Sequence, residues 1–442
     1  MEGPLPKRVV IGWSGILTER CYRDVTARYF PNTQGFKHSR SPADRRTRIL
    51  SGTMSPRRCL ASCLWSLSLA LSAGELQLSS PLDHQVFQRR AVDRGTVILS
   101  GTDGIGTDDT LHLETRFIAE GRPSPWQRID TPTVKGRFRC SVEMAAGGWF
   151  QLEVRRIAFD RGGRERHIVA EARVEHVGVG EVFVVAGQSN AANHGEERQT
   201  PKSGMVATFD GTRWRPAEDP QPGASGGGGS FLPPFGDALS RRLGVPIGLV
   251  ACGIGATSVR EWLPKGSRFP NPPTLTHRVR RLESGEWESD GAAFETLIGR
   301  MAPLGPGGFR AVLWHQGESD ANQADASRTL PGPLYRESLT RVITESRRRI
   351  GWEPPWFVAQ VSYHVPGDEA SPDIRAAQAA LWRDGIALQG PDSDALKGAL
   401  RDSGGKGVHF SGPGLREHGK RWADTVGAWM QSPAAHRGRN GQ

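Results

Sequence analysis

Short runs of alternating apolar and polar residues dominate the chain between about 80 and 180. They fall at 96–99, 111–118, 137–144, 149–157 and 167–176, separated by turn clusters such as Gly101-Thr102-Asp103-Gly104 and Asp160-Arg161-Gly162-Gly163. A period of two places successive side chains on opposite faces of a strand. Repeated short strands at this spacing predict an all-β sandwich of about seven strands. At Glu181 the pattern changes. Val182-Phe183-Val184-Val185-Ala186 is continuously apolar, as in a parallel strand buried on both faces. Similar runs recur at 247–252, 311–314 and 356–361, with helical periodicity at 235–243, 335–349, 374–382 and 414–430. Strand and helix in alternation predict an α/β domain built on a doubly wound parallel sheet. Sites in such sheets lie beyond the carboxyl ends of the strands.

Composition changes this picture mainly at the N-terminus. The chain has 442 residues, 37% of them hydrophobic and 24% charged, with a net charge of +10. Residues 1–74 hold twelve Lys and Arg against four Asp and Glu, which leaves a net of +2 on residues 75–442. A field that steers nucleic acid would have to lie on the folded body, so no nucleic-acid partner is expected. Met54 opens a short basic stretch, residues 60–71 are apolar, and Ser72-Ala73-Gly74 supplies small residues. That order predicts a secretory signal peptide at 54–74 and a secreted or periplasmic protein. Residues 1–53 then read as a non-native extension or a disordered arm. The remaining expectations are a sandwich at 75–180, an α/β domain at 181–432 and a disordered tail at 433–442. No apolar run reaches the ~18–20 residues needed to span a bilayer. Outside the first 74 residues only Cys140 and Cys252 occur; they make no disulfide framework, and no metal-ligand spacing or cofactor motif is present. The Gly-rich stretch 223–230 reads as a flexible surface loop or a mobile lid. Oligomeric state leaves no mark on the sequence.

Four segments concentrate the chemistry. Gly187-Gln188-Ser189-Asn190 follows the first apolar strand. Backbone N–H groups there would meet a developing oxyanion, although serine is equally favoured as a helix cap. Cys252-Gly253-Ile254-Gly255-Ala256-Thr257-Ser258 follows the second; glycine lets a backbone N–H approach a substrate, or simply turns the chain. Trp314-His315-Gln316-Gly317-Glu318-Ser319-Asp320 gathers an imidazole, an amide and two carboxylates in one loop, a density that points to function. Gly407-Val408-His409-Phe410-Ser411 opens the last helix. A serine hydrolase needs a base that takes the serine proton and returns it to the leaving alcohol.

In this order the four segments resemble the SGNH hydrolases, specifically the sialate O-acetylesterase-like and acetylxylan esterase branch, over about residues 181–429. That branch shows GQSN, a GGTS-like loop, a QGE loop and DGVHF. The preceding sandwich is similar to the accessory domain of the sialate O-acetylesterase-like proteins. The resemblance implies an esterase acting on acetylated carbohydrate without a cofactor or metal. It makes Ser189 the nucleophile and His409 the base. The N–H groups of Ser189 and Gly255 and the amide of Gln316 become the oxyanion hole, and Asn190 supports the nucleophile loop. Asn190, Trp262 and His364 are carried as substrate-side residues, with Arg260, Arg375 and Gln378 also where loops would face a pocket.

Two positions depart from the pattern. Gly255-Ala256 stands where the branch has two glycines. Lys406 stands where it has an Asp three residues before the His, and a cation cannot orient an imidazole. Asp402, folded back by Ser403-Gly404-Gly405-Lys406, and Glu318 are nearly equal replacements, with Asp320 behind them. Two rivals follow. One is a carbohydrate-binding protein whose esterase site has decayed; the other is an SGNH esterase for other small esters.

Overall fold

The computed structural model describes residues 75–104, 110–160 and 166–432. The expected extension at 1–53, the signal peptide at 54–74 and the tail at 433–442 lie outside the described residues.

The N-terminal part is antiparallel. Its strands are β1 (Gln77–Ser80), β2 (Gln85–Gln88), β3 (Arg94–Thr102), β4 (Thr110–Ala119), β5 (Arg122–Pro123), β6 (Gln127–Val134), β7 (Arg137–Ala145), β8 (Gly147–Phe159) and β9 (Arg166–Gly187). They pair in the order β1-β3-β7-β6-β4-β8-β9; β5 pairs with β4, and β2 runs parallel to β9. Alternate residues point inward: Val97 and Leu99 of β3, Leu111 and Leu113 of β4, Val142 and Met144 of β7, Leu152 and Val154 of β8, and Val177 and Val179 of β9 form one apolar cluster. The period of two seen in the sequence is this inward-facing set.

β9 does not stop there. Its 22 residues continue through 182–186, so the expected boundary at 180/181 falls inside one strand. Its C-terminal half is the centre of a parallel region. β12 (Ile247–Ala251) and β10 (Val206–Phe209) lie on one side, with β11 (Trp214–Pro216) antiparallel at the edge. β16 (Ala311–His315), β17 (Trp356–Gln360) and β18 (Leu388–Asp392) lie on the other. β13 (Arg268–Phe269), β14 (Val279–Arg281) and β15 (Trp287–Ser289) form a separate small sheet.

Both faces of the parallel region are covered, which explains the continuously apolar runs. Val182, Val184 and Ala186 pack with residues of α2 (Ala292–Met301), α3 (Gly332–Ile350) and α4 (Pro372–Arg383). Phe183 and Val185 pack with residues of α1 (Leu232–Leu243) and α5 (Gly412–Met430). Glu181, at the join of the two parts, is fully buried. It accepts from Arg89 Nε at 2.6 Å, Arg310 Nε at 2.7 Å and Gln88 Nε2 at 2.7 Å. The two guanidinium groups hold its carboxyl below the usual range against the opposing effect of burial.

Candidate active site

Register decides which loops meet. His315 pairs with Gly187 and Ala251 with Val185, so the loops leaving β9, β12 and β16 emerge side by side at one end of the sheet. Gly187 has a φ of 132°, and a Cβ there would lie 2.0 Å from the His315 carbonyl oxygen. The glycine therefore lets β9 run tight against β16 before turning into Ser189, the first residue of a short 3-10 turn. Ser189, Gly255, Glu318, His364 and His409 line one cavity of about 590 Å³, together with Gln188, His194, Ser225, His277 and Arg278.

Of the three carboxylates, the structure sets Asp402 beside His409. Its Oδ2 lies 3.6 Å from His409 Nδ1, and its Oδ1 accepts from the His409 backbone N–H at 3.2 Å. The loop that achieves this is short. Arg401 and Phe410 form an isolated bridge, and the Asp402 N–H donates to the His409 carbonyl at 2.9 Å. Ser403, Gly404 and Gly405 take positive φ values of 53°, 65° and 89°. A Cβ on Gly407 would stand 1.7 Å from Asp402 Oδ1, so the missing side chain is what admits the carboxylate. Burial lowers the His409 pKa, and Asp402 opposes that shift.

Glu318 does other work. It is buried, accepts from Asn190 Nδ2 at 3.0 Å, and is pushed up to about 7 by burial. The same Asn190 amide donates to the Val408 carbonyl at 3.1 Å, which ties the Ser189 loop to the residue before His409. Asn190 is thus a brace, 3% exposed and absent from the cavity lining.

Asp320 lies elsewhere, accepting from the Val259 N–H at 2.9 Å, Arg260 Nη2 at 3.3 Å and Gln316 Nε2 at 2.7 Å. Those bonds correct two expectations. Asp320 holds the Gly255 loop to the Gln316 loop rather than orienting His409. The Gln316 amide, fully buried, is aimed at Asp320 and the Thr257 carbonyl instead of the cavity.

Trp262 is also displaced from its expected role. It is fully buried, donates from Nε1 to Thr257 Oγ1 at 2.9 Å and meets Trp314 edge-on. Arg260 and Gln378 are buried in backbone-satisfying networks, and Arg375 pairs with Asp392 and Asp394. His364 does face the cavity, fixed by Asp368 Oδ2 at 2.7 Å and by the Glu318 carbonyl.

Two lining residues without a sequence signal, Ser225 and His194, touch Gly255 and His409 directly. Ser225 Oγ accepts from the Gly255 N–H at 2.7 Å and lies 3.0 Å from His194 Nε2, while the His194 ring stacks on His409 at 5.5 Å. Burial and the neighbouring His409 lower the His194 pKa. Ser225 sits in the Gly-rich stretch, which is a strap rather than a free loop. Cβ atoms on Gly226 and Gly229 would lie 2.3 Å from the Asn193 carbonyl oxygen and 1.9 Å from that of Glu197. The glycines serve close backbone approach, and composition alone had read them as freedom.

A family model described as carbohydrate esterase, sialic acid-specific acetylesterase, matches residues 179–427. No curated protein matches the sequence. Among solved structures, a carbohydrate acetylesterase from Xanthomonas citri is 19% identical, with 79% of this chain and 74% of that chain covered and a TM-score of 0.49. A protein from Arabidopsis thaliana is also 19% identical, over 56% of this chain and 98% of that one, with a TM-score of 0.39. A family two carbohydrate esterase from Clostridium thermocellum, solved with cellohexaose, is 11% identical over 78% and 94%, with a TM-score of 0.31.

Proposed function

The chain belongs to the sialic acid-specific acetylesterase family of carbohydrate esterases, and from that membership we propose that this carboxylic ester hydrolase removes O-acetyl groups from carbohydrates through a Ser189–His409–Asp402 site. One observation carries the reading: Ser189, Gly255 and His409, from three separate loops, line one cavity, and a carboxylate stands behind the histidine.

In this mechanism His409 takes the Ser189 proton as Oγ attacks the acetyl carbonyl. The Ser189 N–H and the Gly255 N–H stabilise the oxyanion, the latter acting through the Ser225 hydroxyl that it polarises. His409 then protonates the departing sugar oxygen, and water, deprotonated by the same imidazole, releases acetate. Asp402 orients the ring and stabilises its charged form. It is preferred to Glu318 because Glu318 is engaged with Asn190.

The strand order with helices on both faces supports an SGNH-type doubly wound sheet, with the antiparallel strands as an accessory sandwich. The segment at 54–74 would export the protein. Lys406 is the best support of the decayed-site alternative, and the Asp402 carboxylate 3.6 Å from His409 Nδ1 counts against it.

Hydrolysis of p-nitrophenyl acetate and of O-acetylated sugars by the full chain tests the proposal. Ser189→Ala and His409→Ala should each abolish release of acetate. A Ser189 variant as active as the parent would end this account.

A further inference from the structure

Away from the cavity, one group of side chains brings together the donor set of a metal centre. Asp83 and His84 lie in the β1–β2 turn, and His176 lies on β9, eleven residues before Gly187 and so roughly 35 Å up the strand from it. We propose that Asp83, His84 and His176 bind a divalent transition-metal ion, zinc being the best chemical match.

The donors are disposed for it. His84 Nδ1 lies 2.8 Å from Asp83 Oδ2, and His176 Nδ1 lies 3.0 Å from Asp83 Oδ1. One ligand atom from each residue falls within 4.8 Å of the others, the one such group of three among the described residues. With Zn–N and Zn–O bonds of about 2.0–2.2 Å, ligand atoms in one coordination shell stand about 2.9–3.5 Å apart. The two histidine–carboxylate distances already match that spacing, and closing the widest pair, within 4.8 Å, onto an ion asks for a side-chain shift of up to about 1.3 Å. Two neutral imidazoles and one carboxylate leave a +2 ion with a net charge of +1 and positions open to water.

The frame around the donors is fixed before any ion arrives. The His176 backbone N–H donates to Asp83 Oδ1 at 2.9 Å, which orients the carboxylate. The turn is closed by the Gln85 N–H on the Leu82 carbonyl at 3.1 Å and by the Leu82 N–H on Gln85 Oε1 at 2.8 Å. Within it His84 holds a φ of 60°, a left-handed backbone that side-chain-bearing residues rarely adopt. The strain is kept where it presents the ring to His176, with the two rings 4.1 Å apart. Such outliers gather at ligand clamps. Trp149 walls the site, its ring 5.4 Å from His84 and 6.2 Å from His176, while its Nε1 donates to the Gly204 carbonyl at 2.7 Å. An ion here would fasten the β1–β2 turn to β9 beside that link. Each imidazole coordinates through Nδ1 with its proton on Nε2. That tautomer is reached by exchange with solvent, since the rings are 20% and 42% exposed.

The test is calorimetric titration of the chelator-treated full chain with ZnCl2, beside His84→Ala/His176→Ala and Asp83→Ala. One saturable site is expected in the parent, weakened at least tenfold in both variants, with a zinc-dependent rise in Tm confined to the parent. Co2+ should add a visible ligand-field spectrum that the double variant lacks. Both variants should keep parental esterase activity, which shows that they fold and separates this site from the catalytic one. Absence of saturable binding, or equal binding by the double variant, would overturn the proposal.

Discussion

The assignment of Asp402 rests on a residue-scale contrast with Glu318 that has separable consequences. Asp402 raises the His409 pKa against burial, and the balance still lies below 6.5. Neutral base therefore persists under pH 6.5. Asp402→Asn should lower kcat by about 10²- to 10⁴-fold and move the acid limb of the kcat profile to lower pH. Glu318 has a folded pKa of about 7 against an ordinary 4.5. Its contribution to stability is full below pH 4.5 and is lost as pH rises through about 7. Glu318→Gln should flatten the dependence of Tm on pH across that window, and it should leave the acid limb in place. Ser225 offers a second test. Its Ala variant should lose about 10- to 100-fold in kcat with little change in KM; a gain instead would mean that the hydroxyl blocks the Gly255 amide.

At the scale of elements, periodicity located most of what burial dictates. The helices predicted at 235–243, 335–349, 374–382 and 414–430 lie within α1, α3, α4 and α5. β18 was missed because Leu388-Gln389-Gly390-Pro391-Asp392 lacks an apolar run; as an edge strand paired only with β17 it does not need one. α2 also went unseen, its 10 residues being short for a periodic signal. For the site, motifs gave the loops that carry Ser189, Gly255 and His409. They could not give Trp262, Gln316 or Asp320, whose side-chain direction depends on contacts between loops distant in sequence. Ser225 was hidden for a different reason: glycine-rich composition does not say whether the missing Cβ grants motion or admits a neighbour. The Asp402 loop puts such an admission to the test. The nearest atoms to a Cβ on Gly407 are all from the Asp402 carboxylate. Gly407→Ala should therefore match Asp402→Asn in its loss of kcat, and the double variant should be no worse than either single one.

Across the whole molecule, the two parts are joined by charge as well as by chain. Glu181 pairs with both Arg89 and Arg310 where β2, β9 and the approach to β16 meet. Glu181→Gln would strand two largely buried guanidinium groups. It should cost about 3–5 kcal/mol in chemical denaturation, with little change in the kcat of the protein that remains folded. No hydropathy pattern could mark this clamp, because its partners are 92 and 129 residues away. The strand that carries Glu181 has a consequence of its own. β9 begins against antiparallel β8 and runs without a break to Gly187, at the Ser189 loop. The two halves are therefore not cassettes that gene fusion can swap at residue 180. A viable chimera must inherit β9 whole, so the antiparallel part and the Ser189 loop are exchanged together or not at all.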